Sequence, residues 1–384
     1  MVNSEPDVGN ASLLINAANL HSGGGVQVAA STFVELSRPN FAQHKLTAFA
    51  SSEVISNLDS GDLFGGNSFG LQLLNTRGID LLNRSARKRM KRFDVVFTIF
   101  GPLYRWRPPF KSIVGFAQPW IIYPQNELYL DMSMGRRLQN RLKFWIQGQF
   151  FRRADILVVE LGHVKEGLVR QLGISPERIY VVENCVSSIY RDPQAWESLS
   201  FPACECDLRL GFIGRNYSHK NTKIFPEIVR ILRVQHGIKA KFFVTFTEDE
   251  WQACPSEFHE VCVNVGPLRV KQCPSFYETV DAVVFPSLLE CFSATPLEAM
   301  AMKKPLFASD RPFNREICSS YANYFDPLCA RSAAGTIAAY FESGKPNKKT
   351  LEAAQNHALC FSSAKERAEK YVALLRQESA KIHK

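Results

Sequence analysis

The sequence is poor in several things that would have classified it at once. It has no stretch near the ~18 consecutive apolar residues of a membrane-spanning helix, and its first 25 residues lack a charged start followed by an apolar run. A cleaved secretory leader is therefore not expected. Ten cysteines are scattered along 384 residues, with Cys204 and Cys206 the only close pair, and no two Cys-x-x-Cys units occur. That excludes a disulfide-stapled module and a zinc ribbon, and reduced thiols of a cytosolic protein are the expectation. The eight histidines show no His-x-His or His-x3-His spacing, and Asp-x-Asp is missing. Neither Gly-x-Gly-x-x-Gly nor a Walker loop is present, which argues against a dinucleotide enzyme and a P-loop kinase. Repeats and low-complexity tracts are also lacking.

What remains is an ordinary globular composition, 46% hydrophobic and 22% charged. At roughly 150 residues per domain the length suggests two or three domains, each able to build a core without staples.

The net charge of +9 is concentrated. Between Arg84 and Arg153 fifteen Lys and Arg face three acids, a local excess of +12 that leaves −3 for the rest of the chain. The densest run is Arg84 to Arg92, with Arg87, Lys88, Arg89, Lys91 and Arg92, followed by Arg105 and Arg107 around Trp106. A second basic stretch, Arg136 to Arg153, is interleaved with Leu138, Leu142, Phe144, Trp145, Ile146, Phe150 and Phe151. Such a field attracts phosphate, whether of a nucleotide, a nucleic acid or an anionic lipid. For the 136–153 helix, core packing of the apolar face is the expected arrangement. The 84–92 run is expected to contact lipid or another polyanion.

Short β-rich runs alternate with amphipathic stretches. Strands are expected at 13–16, 45–50, 94–100, 112–116, 155–159 and 178–182, and again at 208–213, 241–246, 261–265, 282–285 and 305–308, with helices such as 27–36 and 163–172 between them. This rhythm predicts an α/β chain of two doubly wound, Rossmann-like domains with parallel sheets, facing a central cleft. The expected domains are 1–195, a proline-bearing linker 196–207, a second domain 208–348, and a helix with a polar tail, 349–384, packing back across both. Ligands of such domains bind at the carboxyl ends of the strands.

Three of the loops there carry chemistry. The first strand runs into Asn16-Ala-Ala-Asn-Leu-His21-Ser-Gly-Gly24-Gly25, where glycines and a helix start suit an anionic guest; a bare tight turn is the alternative. After 208–213 comes Gly214-Arg215-Asn-Tyr-Ser-His219-Lys220-Asn221, whose two cations suit a diphosphate. The third loop and its helix read Glu290-Cys-Phe292-Ser293-Ala294-Thr295-Pro-Leu-Glu298. Two carboxylates eight residues apart suit the vicinal hydroxyls of a sugar and a ribose, although Glu298 also suits the first turn of a helix. His21 and His219 are read as hydrogen-bonding groups, and Glu248-Asp249-Glu250 as an acidic helix start.

At these residues the chain resembles the GT-B retaining glycosyltransferases of family 4, the "group 1" glycosyl transferases. The resemblance rests on Glu290-x7-Glu298, Gly214-Arg215-x4-Lys220-Asn221, Gly24-Gly25-Val26-Gln27 and the 178–184 strand, and it covers most of the chain. It implies retaining transfer from a nucleotide-diphosphate sugar, with no cofactor and no metal requirement. Arg215 and Lys220 would neutralise the departing diphosphate. Glu290 would bind sugar hydroxyls and Glu298 the ribose; amides at Phe292, Ser293, Ala294, Thr295, Gly24 and Gly25 would complete the cradle; Leu268 would pack on the base. The expected acceptor is a glycan or a polyprenyl-diphosphate-linked lipid in bacterial surface polysaccharide synthesis of the O-antigen or capsule type. The expected location is cytoplasmic, peripheral on the inner face of the plasma membrane.

The sequence departs from the family pattern at Cys291 and Ser293, which replace two glycines, and at Cys185 in Asn184-Cys185-Val186. It departs again at Gln118, where many members carry a histidine near the reacting sugar. Trp120 and Tyr123 nearby suit either an acceptor sugar or the core. Other GT-B activities, an epimerase or a glycan phosphorylase, are alternatives, as is a non-catalytic polyanion-binding protein; no nucleic-acid-binding signature is present.

Overall fold

A computed structural model describes residues 11–44, 46–58, 69–77, 84–344 and 347–382. The chain divides into two compact units. The first comprises residues 1–125, 132–185 and 362–384, and the second residues 126–131 and 186–361.

The first unit holds β1 (Leu13–Ala17), β2 (Leu46–Ala50), β3 (Phe69–Leu73), β4 (Val95–Thr98), β5 (Lys111–Gly115), β6 (Ile156–Val159) and β7 (Ile179–Val181). They form one parallel sheet in the order β3-β2-β1-β4-β5-β6-β7. β1, β2, β4, β5 and β6 are almost wholly buried, as strands covered by helices on both faces must be. Close approach is tight where β5 ends, since a Cβ on Gly115 would lie 1.6 Å from the Ile99 carbonyl oxygen.

The second unit repeats the arrangement with β8 (Leu208–Phe212), β9 (Ala240–Val244), β10 (Cys262–Asn264), β11 (Ala282–Phe285), β12 (Leu306–Ser309) and β13 (Asn323–Phe325), in the order β10-β9-β8-β11-β12-β13. Its core is aromatic: Phe225 lies flat on Phe242 at 3.7 Å between centroids, with Phe212, Phe246 and Phe258 around them.

The last helix, Ala364–Ile382, belongs to the first unit and packs along Gly24–Leu36. Arg367, 1% exposed, donates to Ser31 Oγ at 2.6 Å and to Asn184. Asn184 in turn donates to Glu160 at 2.7 Å. The preceding helix, Lys348–Leu359, belongs to the second unit, so the expected 349–384 segment is shared between the units; residues 383–384 lie outside the described residues. The stretch 196–207 also lies within the second unit, because the division falls at 185/186.

The strands fall where expected to within a few residues; Lys45, taken as a strand start, lies outside the described residues. β3 and β13 were not anticipated. Both are edge strands, β3 with alternate residues exposed and a glycine inside, β13 only three residues long, so neither imposes a strong apolar pattern.

One expectation about the basic segment is corrected. Met134–Arg153 does not bury its apolar side chains wholesale: Phe144 and Phe151 are covered, but Leu138 is 70% and Trp145 62% exposed. Only one strip of that helix packs on the unit, so residues off the strip stay outside. In the 84–92 run the five bases differ in exposure. Arg89 donates to Gln72 at 2.7 Å and lies 4.7 Å from the Phe49 ring centre, and Arg87 is half-buried, leaving Lys88, Lys91 and Arg92 exposed.

Candidate active site

In the second unit the chain leaves β8 toward β9 and β10 on one side, and continues from β11 toward β12 and β13 on the other. β8 and β11 are neighbours, so the loops after them flank the topological switch point where open α/β sheets bind ligands.

The β8 loop is pinned before it offers any charge. Asn221 takes a left-handed conformation (φ 56°), is 2% exposed, and donates to the Pro327 carbonyl at 2.8 Å. Asparagine tolerates that conformation better than other side chains. The Leu288 amide donates to the His219 carbonyl at 2.8 Å, tying the β11 loop to the β8 loop. Lys220 Nζ then stands 2.7 Å from Glu290 Oε1 and 5.1 Å from the Phe285 ring centre. Both side chains are largely covered, at 14% and 11% exposure. His219 Nε2 lies 3.9 Å from the same carboxylate oxygen, and burial pushes the His219 pKa below its ordinary value.

Arg215 has a different partner. Its Nε donates to Glu250 Oε1 at 2.8 Å, which raises the Arg215 pKa. Glu250 is also the acid of a capping box with Thr247 at the start of Glu248–Gln252. Burial works against its ionised form, but hydrogen bonds from Thr247 and Arg215 outweigh it and lower its pKa. The acidic helix start is therefore as expected, and the ion pair across to Arg215 is a contact that sequence reading missed. Thr-x-x-Glu was visible; the partner 35 residues away was not.

Glu298 lies in the second turn of Ala294–Ala301, not the first, whose opening turn has no acid. It is held by tyrosines: Tyr277 Oη donates to Oε2 at 2.9 Å, and Tyr190 also hydrogen-bonds it. Burial raises the Glu298 pKa, with the two hydroxyls opposing that rise. Neither tyrosine carried any motif. Ser293 precedes the helix with φ −139° and makes no side-chain cap; Thr295 Oγ1 is 3.5 Å from the Ile213 carbonyl at the end of β8. Neither Cys291 nor Ser293 has a positive φ, so this loop does not need the glycines it lacks. Phe292, Ser293 and Ala294 are half-buried, as is Leu268 in the loop after β10.

The corresponding switch point of the first unit lies between β1 and β4. Gly23 has φ 72°, and a Cβ on Gly24 would meet nothing within 4 Å. Gly25 faces Leu20 and Phe100. His21 is fully engaged, Nδ1 at 2.8 Å from Glu53 Oε2 and Nε2 at 2.8 Å from the Thr76 carbonyl. Gln118 Nε2 lies 3.4 Å from Gln147 Oε1. Trp120 stacks on Phe144 at 5.4 Å and Tyr123 on His163 at 6.4 Å, so both pack against their own unit. Among the described residues there is no group of three or more His, Cys, Asp or Glu able to hold a metal ion.

Residues 207–339 match the family model for glycosyl transferases group 1. Over that third of its length the chain is similar to the group 1 glycosyl transferases. A comparison with curated protein sequences finds no match. Among solved structures, a glycosyltransferase from Rickettsia africae is similar at 16% identity and TM-score 0.66, covering 96% of this chain and 98% of that one. Alr3699/HepE of Anabaena, solved with UDP-glucose, is similar at 12% identity and TM-score 0.59, covering 97% and 99%. WaaG, a glycosyltransferase of lipopolysaccharide biosynthesis, is similar at 12% identity and TM-score 0.62, covering 94% and 99%. The fold of this chain is GT-B over nearly its whole length.

Proposed function

We propose that the protein transfers a sugar, with retention, from a nucleotide-diphosphate sugar to a glycan or polyprenyl-diphosphate-linked acceptor in surface polysaccharide synthesis. The observation that carries this reading is the Lys220–Glu290 pair, covered on most sides and held at the β8/β11 switch point. A diphosphate entering there meets an ammonium already fixed in place, which stabilises the charge that develops as the leaving group departs. Arg215 adds a second cation from the same loop. Glu290 accepts hydrogen bonds from sugar hydroxyls, and Glu298, fixed by Tyr277 and Tyr190, accepts from the ribose. The amides of Phe292 to Thr295 and the start of the following helix face the diphosphate, and Leu268 packs on the base. No metal or other cofactor is assigned a role.

The first unit is assigned the acceptor side, with Gly24 and Gly25 as backbone contacts and Gln118 as a neutral hydrogen-bonding group; His21, Trp120 and Tyr123 are already engaged within their own unit and are assigned no contact. The HepE complex supports a uridine diphosphate donor, and WaaG supports a lipid-linked surface glycan as product. Such an acceptor places the enzyme at the inner face of the plasma membrane, and no helix among the described residues is long and apolar enough to cross it.

Calorimetry against UDP, GDP and dTDP tests the donor site directly. One nucleotide is expected to bind, and Arg215→Ala, Lys220→Ala and Glu290→Gln should each depress turnover about 10²-fold or more. Wild-type turnover in all three variants would remove the site.

A further inference from the structure

We infer that the outward face of the Met134–Arg153 helix is a seat for an anionic lipid bilayer. Its inner strip is anchored: Phe144 stacks on Trp120, Phe151 packs edge-on against Phe116 at 4.7 Å, and Gln147 and Gly148 are buried. The opposite side is apolar and uncovered. Met134, Leu138, Leu142, Trp145 and Ile146 are between 41% and 81% exposed. At about 100° per residue these five fall within an arc of about 120°. Arg141 borders one edge of the arc, beside a half-buried Arg137 that donates to the Met132 carbonyl at 2.9 Å, and Arg136 and Lys143 border the other; the helix contains no acid.

Single exposed leucines are common on soluble proteins, but a continuous stripe of this kind is not. An apolar stripe flanked by bases on both sides matches an interface of acyl chains beneath anionic head groups, with the long basic stems reaching up to the phosphates. The field continues beyond the helix. The Arg153 guanidinium lies 3.8 Å from the centre of the Trp106 ring, which is 48% exposed, and Arg105 in the same loop feels the charge of Arg87. Pairing with a second copy about a twofold axis would set these basic flanks against each other, which opposes that occupant.

The inference deepens the membrane part of the proposed function, and its test needs neither donor nor acceptor. Failure here would leave glycosyl transfer standing, and loss of transfer would leave the seat standing. The full chain is sedimented with vesicles of phosphatidylglycerol and phosphatidylcholine, and with phosphatidylcholine alone, while tryptophan emission is followed. Binding to the anionic vesicles with a blue shift is expected. The triple variant Leu138→Gln, Leu142→Gln, Trp145→Gln should bind about tenfold or more weakly with an unchanged Tm, because the replaced side chains are exposed. Arg136→Gln with Lys143→Gln should weaken binding mainly at low salt. Undiminished binding by the triple variant overturns the assignment. So does a wild-type dimer that the triple variant splits, or complete loss in Lys88→Gln, Lys91→Gln, Arg92→Gln with the triple variant intact.

Discussion

The two switch points share a topology and differ in how they treat charge. In both sheets the central strand pair, β1/β4 or β8/β11, marks the place where the winding reverses. The first-unit loop presents backbone and small residues, and its ionisable group, His21, is spent on Glu53 and the Thr76 carbonyl. The second-unit loop presents two cations, each already matched by an acid: Lys220 by Glu290 and Arg215 by Glu250. A site built on amides needs room, whereas one built on ion pairs needs every partner present before the ligand arrives.

The largest expected effect follows from that second requirement. Lys220→Met leaves the Glu290 carboxylate, 11% exposed, without its cation, and removing one member of a buried pair costs about 3–5 kcal/mol. Adding Glu290→Gln should recover most of that stability while transfer stays abolished. Thermal unfolding of the single and double variants separates the two roles. Equal Tm values would mean that the pair contributes nothing to the folded state, and the contrast between the loops would lose its physical basis.

A smaller effect tests the first-unit loop. Gly23 holds a positive φ, so Gly23→Ala should cost about 1–2 kcal/mol. Gly24 has open space around its Cα, so Gly24→Ala should leave Tm unchanged while lowering turnover. If Gly24→Ala turns over like wild type, the loop is a tight turn and nothing more, which was the alternative on sequence grounds.

The contrast also explains what could be read in advance. Central strands buried on both faces write continuous apolar runs, so all four at the switch points were legible; of the thirteen strands among the described residues eleven were anticipated, the edge strands β7 and β10 among them, and β3 and β13 were not. Residues 290 and 298 and the Arg215/Lys220 spacing stood out because charge beside strand ends is costly without a purpose. Their partners did not. Tyr190 and Tyr277 look like core aromatics, and Glu250 like a helix cap, because a hydrogen bond across tens of residues leaves no local pattern. The Met134–Arg153 helix misled for a related reason: apolar residues on several sides of a helix announce burial, but only packing decides which strip is covered.

Acid should finally distinguish the two units through their histidines. His21 clamps Glu53 and, with that hydrogen bond as the main cause, pulls its pKa down to about 2. A depressed carboxylate gives stability that is complete above its ordinary value near 4.5 and is lost as pH falls toward 2. His219 acts in the same direction but at higher pH. Burial lowers its pKa against the opposing pull of Glu290 and with the help of Lys220, so the unfolded chain takes up a proton below 6.5 that the folded loop resists. Stability of the second unit should therefore begin to fall as pH drops through 6.5, before Glu53 responds. Scanning calorimetry from pH 8 to 5 should show Tm declining in wild type and less steeply in His219→Gln. Identical slopes would mean that His219 exchanges protons freely in the folded protein.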